Sequence, residues 1–167
     1  MAERQAGSKA LTMTTEFLQE LGAFFARDPL SVQDVIERIG SASADPGIPM
    51  AIELRPRIPG IGAAKLWRYP ETGSPYLLRL ELAAGEPLVV RNVAARFGPY
   101  DRSATGPETI PAIVFRRAIG GDRWSVKVLA EYSAGTLPLD DAALISVSLR
   151  RDLIGSCREA GPGFQAT

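Results

Sequence analysis

Residues 28–40 read Asp-Pro-Leu-Ser-Val-Gln-Asp-Val-Ile-Glu-Arg-Ile-Gly, and residues 86–98 read Glu-Pro-Leu-Val-Val-Arg-Asn-Val-Ala-Ala-Arg-Phe-Gly. Offset by 58 positions (86 − 28), six of the thirteen residues coincide: Pro, Leu, two Val, Arg and Gly. A segment written twice implies a domain built from two similar halves. Each copy reads as a short amphipathic helix. In the first, Ser31 is a natural N-cap and Asp34 stands three residues on, a capping-box arrangement. Val32, Val35, Ile36 and Ile39 form its apolar stripe, and Gly40 is placed to end it in a left-handed turn. In the second, about 89–97, the stripe is Val90, Val93, Ala94 and Phe97, with Gly98 as terminator. Val89 replaces the capping Ser31, so this copy is expected to fray.

Another helix precedes the first copy. Phe17, Leu18, Leu21, Phe24 and Phe25 fall on one helical stripe, Thr14 or Thr15 can cap it, and Asp28-Pro29 stops it. After each repeated helix come three strand signals: Ile48–Arg57, Ala63–Tyr69 and Tyr76–Ala83, then Ile110–Ala118, Arg123–Tyr132 and Ala142–Arg151. Three alternate with period two. Tyr76, Leu78, Leu80 and Leu82 oppose Arg79 and Glu81. Trp124, Val126, Val128, Ala130 and Tyr132 oppose Ser125, Lys127 and Glu131. Ala143, Ile145, Val147 and Leu149 oppose Ser146, Ser148 and Arg150. Such alternation belongs to an antiparallel sheet covered on one side and wet on the other. The last stretch also carries helix-capping residues, Asp140-Asp141 and Gly155, but Ser-Val-Ser-Leu favours a strand. Loops are expected at 41–47, 57–62, 70–75, 99–109 and 133–141, where Gly, Pro and Asp cluster.

The fold class is therefore α+β: two helix-plus-three-strand pseudo-repeats, 28–84 and 86–152, forming a twisted antiparallel sheet of about six strands with helices on one face. Residues 1–12 read as a disordered arm, 13–154 as a single domain and 155–167 as a flexible tail. A chain of 167 residues with 46% hydrophobic and 23% charged residues is an ordinary globular composition. No apolar run approaches the roughly 18–20 residues a membrane helix needs. Zero formal net charge argues against nucleic-acid binding. Three of the 19 basic residues are Lys and the rest Arg, which reads as codon bias or, alternatively, as carboxylate and anion recognition by the planar guanidinium. Cys157, the one cysteine, makes no internal disulfide, and residues 1–9 lack the apolar stretch of a secretory signal. A cytoplasmic address is expected, or an exported one if a signal has been removed.

The helix residues Ser31, Val35, Ile39 and Gly40, followed by Trp67 and Tyr69, and the second set Val93, Phe97, Gly98, Pro99 and Trp124, resemble the small SmpA/BamE-type, β-lactamase-inhibitor-like domains in tandem. The resemblance covers most of residues 14–152. It implies a non-catalytic protein-binding module whose open sheet face meets a partner. The chain lacks that family's paired cysteines, and no inhibitory contact residue carries over.

Catalytic chemistry finds little support. With no histidine in the chain, Ser-His-Asp and Cys-His catalysis and the usual zinc sets are excluded. Enzymes built on Asp, Glu, Lys or Tyr remain open. Cys157 reads as a bystander thiol, Pro59–Lys65 as a turn with the wrong spacing for a phosphate loop, and Asp140-Asp141 as a solvated turn. No catalytic residue, metal ligand or cofactor is assigned. Lys65, Trp67 and Tyr69 alternate along one strand and are either a displayed aromatic-cationic face or core with Lys65 at the rim. With Arg79, Glu81, Lys127, Glu131 and Arg150 on the wet face, they are the candidate partner-binding residues. The expected function is a non-enzymatic protein-binding module, such as an inhibitor, immunity factor, adaptor or secretion chaperone. The alternative is a small-molecule-binding protein or histidine-free enzyme with a pocket between helices and sheet. Self-association through sheet edges is a further reading.

Overall fold

The computed structural model describes residues 14–43, 50–85, 88–103, 110–135 and 138–155. The arm expected over 1–12 and Cys157 lie outside them. Among the described residues three α-helices stand against one large antiparallel sheet. Helix α1 (Thr15–Phe25) begins where the Thr14 hydroxyl accepts the Phe17 amide at 3.1 Å. Helix α2 (Val32–Ile39) carries the full capping box: Ser31 Oγ accepts the Asp34 amide at 3.0 Å, and Asp34 Oδ2 accepts the Ser31 amide at 2.9 Å. Helix α3 (Val90–Phe97) has only the reciprocal half, the Asn92 side-chain oxygen accepting the Val89 amide at 3.2 Å. Its start is also tied down by backbone, since Val89 bridges Ala143 and the Val90 amide donates to the Ala142 carbonyl.

Among the described residues the sheet has nine strands: β1 (Gly40–Ala42), β2 (Ala51–Pro56), β3 (Ile61–Arg68), β4 (Pro75–Leu82), β5 (Tyr100–Arg102), β6 (Ala112–Phe115), β7 (Ile119–Gly120), β8 (Trp124–Tyr132) and β9 (Leu144–Leu153). Their order is β1-β2-β3-β4-β9-β8-β6-β5, with β7 beside β8. The expected count of about six is therefore corrected to nine. All six anticipated strands form, including β9 in place of the helical alternative. The additional three are two or three residues long, too short for an alternating pattern to show.

Gly40 differs from expectation in an informative way. Its φ is 170°, not left-handed, and the chain runs straight from α2 into β1. A Cβ there would lie 1.9 Å from the Arg55 carbonyl oxygen, so glycine is required for close approach of β1 to β2. Gly98 does take a positive φ of 83° after α3.

One face of the sheet is apolar in transverse rows. Leu54, Ala64, Leu80, Val147, Ala130 and Ile113 are register partners across six strands, all buried. Leu66, Leu78, Leu149 and Val128 form the next row. Phe17, Leu18, Leu21 and Phe25 of α1, Val35 and Ile39 of α2, and Val90, Val93 and Phe97 of α3 join them in one cluster. Ile145 departs from the anticipated face. A bulge sets Leu144 opposite Tyr132 and Ser146 opposite Glu131, leaving Ile145 as the extra residue, 39% exposed. From Ser146 onward the alternation is as read from sequence.

Leu80→Ala removes a fully buried side chain at the centre of the sheet and is expected to cost about 3 kcal/mol, whereas Ser31→Ala, which loses one cap, is expected to cost about 1 kcal/mol. Urea denaturation of both variants checks the ranking.

Candidate binding surface on the open sheet face

Opposite the helices, β2, β3, β4, β9 and β8 present the other set of alternating side chains. Register fixes their neighbours. One row runs Glu53, Lys65, Arg79, Ser148 and Leu129; the next runs Ala51, Trp67, Leu77, Arg150 and Lys127. Lys65 and Arg79 are directly opposed cations, an unfavourable pairing taken alone. Carboxylates on either side relieve it. Glu53 approaches Lys65 at 3.9 Å, and Glu81 approaches Arg79 at 3.8 Å.

The strongest tie crosses a strand. Arg79 on β4 reaches over β9 to grip Glu131 on β8 with two parallel hydrogen bonds of 3.0 and 2.7 Å. Two strand spacings amount to roughly 9–10 Å, within reach of an arginine lying flat. The intervening residues are Ser146 and Ser148, and their small side chains leave the passage open. Ser146 Oγ donates to Glu131 Oε2 at 2.8 Å, closing the network. The Arg79 bond, aided by Ser146, holds the Glu131 carboxyl below its ordinary value, and Glu131 in turn raises the Arg79 guanidinium.

Beside this tether lies a groove of about 540 Å3, bounded by Ser43, Glu53, Lys65, Trp67, Arg79 and Glu81. The Trp67 ring is half-buried in its wall, with the Lys65 ammonium 5.4 Å from the ring centre. The eight candidate residues thus separate into groups. Lys65, Trp67, Arg79 and Glu81 share the groove, and Glu131 anchors it through Arg79. Lys127 and Arg150 are opposed to each other one row away, and Arg150 pairs with Asp152 at 3.1 Å. Tyr69 falls beyond the end of β3. A register shift after Trp67 makes Arg68 the partner of Pro75, and the Tyr69 ring stacks on Tyr76 with centroids 4.6 Å apart.

Glu53 at the groove and Ser146, buried beneath the Arg79–Glu131 bridge, are missing from the sequence candidates. Glu53 was detectable, since Ile52 and Leu54 flank it in period two. Ser146 was visible as a wet-face residue, but its bond to Glu131 depends on the β8–β9 register. Among the described residues, no group of three or more Asp, Glu or Cys is placed to hold a metal ion, and no helix is long and apolar enough to cross a membrane. Comparison with protein families, curated proteins and solved structures finds no significant match to this chain.

Because the folded Glu131 carboxyl titrates below its ordinary 4.5, the stabilisation from its pairing is complete above that value and disappears as pH falls through the lower folded value. Glu131→Gln is expected to cost about 1–2 kcal/mol at pH 7 and to flatten the loss of stability between about pH 5 and 3. Denaturation midpoints measured across that range check both the size and the sign.

Proposed function

We propose that this protein is a non-enzymatic binding module that takes a protein partner on the open face of its sheet. The observation that supports this best is the groove beside β3 and β4, where a half-buried Trp67 and two opposed cations, Lys65 and Arg79, meet the carboxylates of Glu53 and Glu81. Aromatic and arginine side chains are the usual anchors of protein interfaces. Mixed charge around them favours selectivity and association rate over raw affinity. The Arg79–Glu131 bridge keeps the arginine extended before any partner arrives, which lowers the ordering cost of binding.

The two halves are read as copies of one unit. Helix α2 leads into β1 through β4, and α3 leads into β5 through β9 with the short β7 beside β8, the two series meeting at the β4–β9 pair. With the repeated sequence motif, this order supports an internal duplication and is in keeping with the resemblance to tandem SmpA/BamE-type domains. A second reading, a small-molecule site, draws on the groove's volume, which falls within the usual range for small ligands. It places the ligand on the open face of the sheet.

Native lysate passed over immobilised wild type, Trp67→Ala and Arg79→Ala is expected to yield a protein retained by the wild type and reduced at least tenfold by each variant. Equal retention by all three, or retention of no protein at low or high salt, overturns the protein-binding reading.

A further inference from the structure

Among the described residues Arg151 is the largest side chain to be fully buried, 1% exposed, and it lies on the helix side of the sheet. Its register partner is Val126, and its guanidinium carbon sits 3.8 Å from the centre of the Trp124 ring. Nη1 donates to Ser74 Oγ at 3.0 Å and Nη2 to the Arg27 carbonyl at 2.6 Å. Nε is buried without a partner. Among the described residues no carboxylate forms an ion pair with this guanidinium. Asp28, the acid whose field reaches it, already pairs with Arg123 at 3.4 Å. An arginine does not shed its proton to escape burial, and a buried charge lacking a counter-charge is strongly unfavourable.

Arg151 is one of the residues that bound a concavity of about 360 Å3 between residues 28–32 and 72–74. Its polar lining comprises the hydroxyls of Ser31, Thr72 and Ser74 and the Asp28 carboxylate, whose charge is offset by its pairing with Arg123. Asp34 already occupies the Ser31 amide at the start of α2, so the attraction for an anion rests on Arg151 and not on the helix end. We propose that this concavity binds a small oxyanion, a phosphate or carboxylate group, which supplies the counter-charge Arg151 lacks. A planar guanidinium backed by hydroxyl donors matches such a group. The site lies on the opposite side of the sheet from the Trp67 groove and stands independently of the function proposed for that groove.

Amide-resolved NMR titration of the full chain with inorganic phosphate, and separately with acetate, tests the proposal at ionic strength held constant with sodium chloride. Saturable shifts centred on residues 28–32 and 72–74 are expected for at least one anion, with dissociation constants in the millimolar range. Tighter phosphate identifies a tetrahedral ligand and tighter acetate a planar one. Arg151→Met is expected to weaken the tighter anion at least tenfold. Because that variant also loses two buried hydrogen bonds, Thr72→Glu serves as the second. It places a carboxylate at the exposed mouth and is expected to weaken the same anion at least tenfold in a folded protein. Linear, unsaturable shifts with both anions, or unchanged affinity in folded Thr72→Glu, overturn the proposal.

Discussion

The pairing of β4 with β9 is the contact on which the architecture turns. Leu78 opposes Leu149 and Leu80 opposes Val147, joining residues about seventy positions apart in the chain. Without that ladder, the rows on each side would end at exposed strand edges. With it, the apolar rows continue across six strands and are wide enough for three helices to cover. Each buried leucine or valine contributes roughly 1.5–3 kcal/mol relative to exposure, so the central rows are worth far more than any surface ion pair.

The same ladder organises the wet side. By fixing Ser146 opposite Glu81 and Ser148 opposite Arg79, it places two small residues between Arg79 and Glu131. The long-range salt bridge is therefore a consequence of register. A shift of one residue would turn the serines inward and the leucine and valine outward. Core packing and surface chemistry are thus set by one alignment.

The parts of the fold legible in the sequence are those with a long enough period. The five apolar positions along α1 and the alternation of β4 and β8 each repeat several times and take the form expected, and the capping box of α2 is legible as a local pair, Ser31 with Asp34. Strands β1 and β5 were not legible, because three residues give no alternation and their extended shape is imposed by the neighbour they pair with. Ile145 was misplaced by a bulge, a local irregularity that leaves no mark in composition. The period of two continues from Lys65 and Trp67 to Tyr69, but the register shift at the end of β3 falls between Trp67 and Tyr69. Arg151 continues the spacing of Val147 and Leu149, which points it inward. Its partners, Ser74 and the Arg27 carbonyl, are 77 and 124 residues away, and only the assembled fold reveals them.

The outermost strands, β1 and β5, are three residues each. Exposed backbone donors and acceptors at a sheet margin invite other chains to zip on, and long flat margins seed fibrils. Among the described residues a broad sheet tapers to stubs at both limits, so few of their unpaired peptide groups lie in a row. A protein with this outline can keep a wide exposed surface for recognition while offering little foothold for runaway polymerisation.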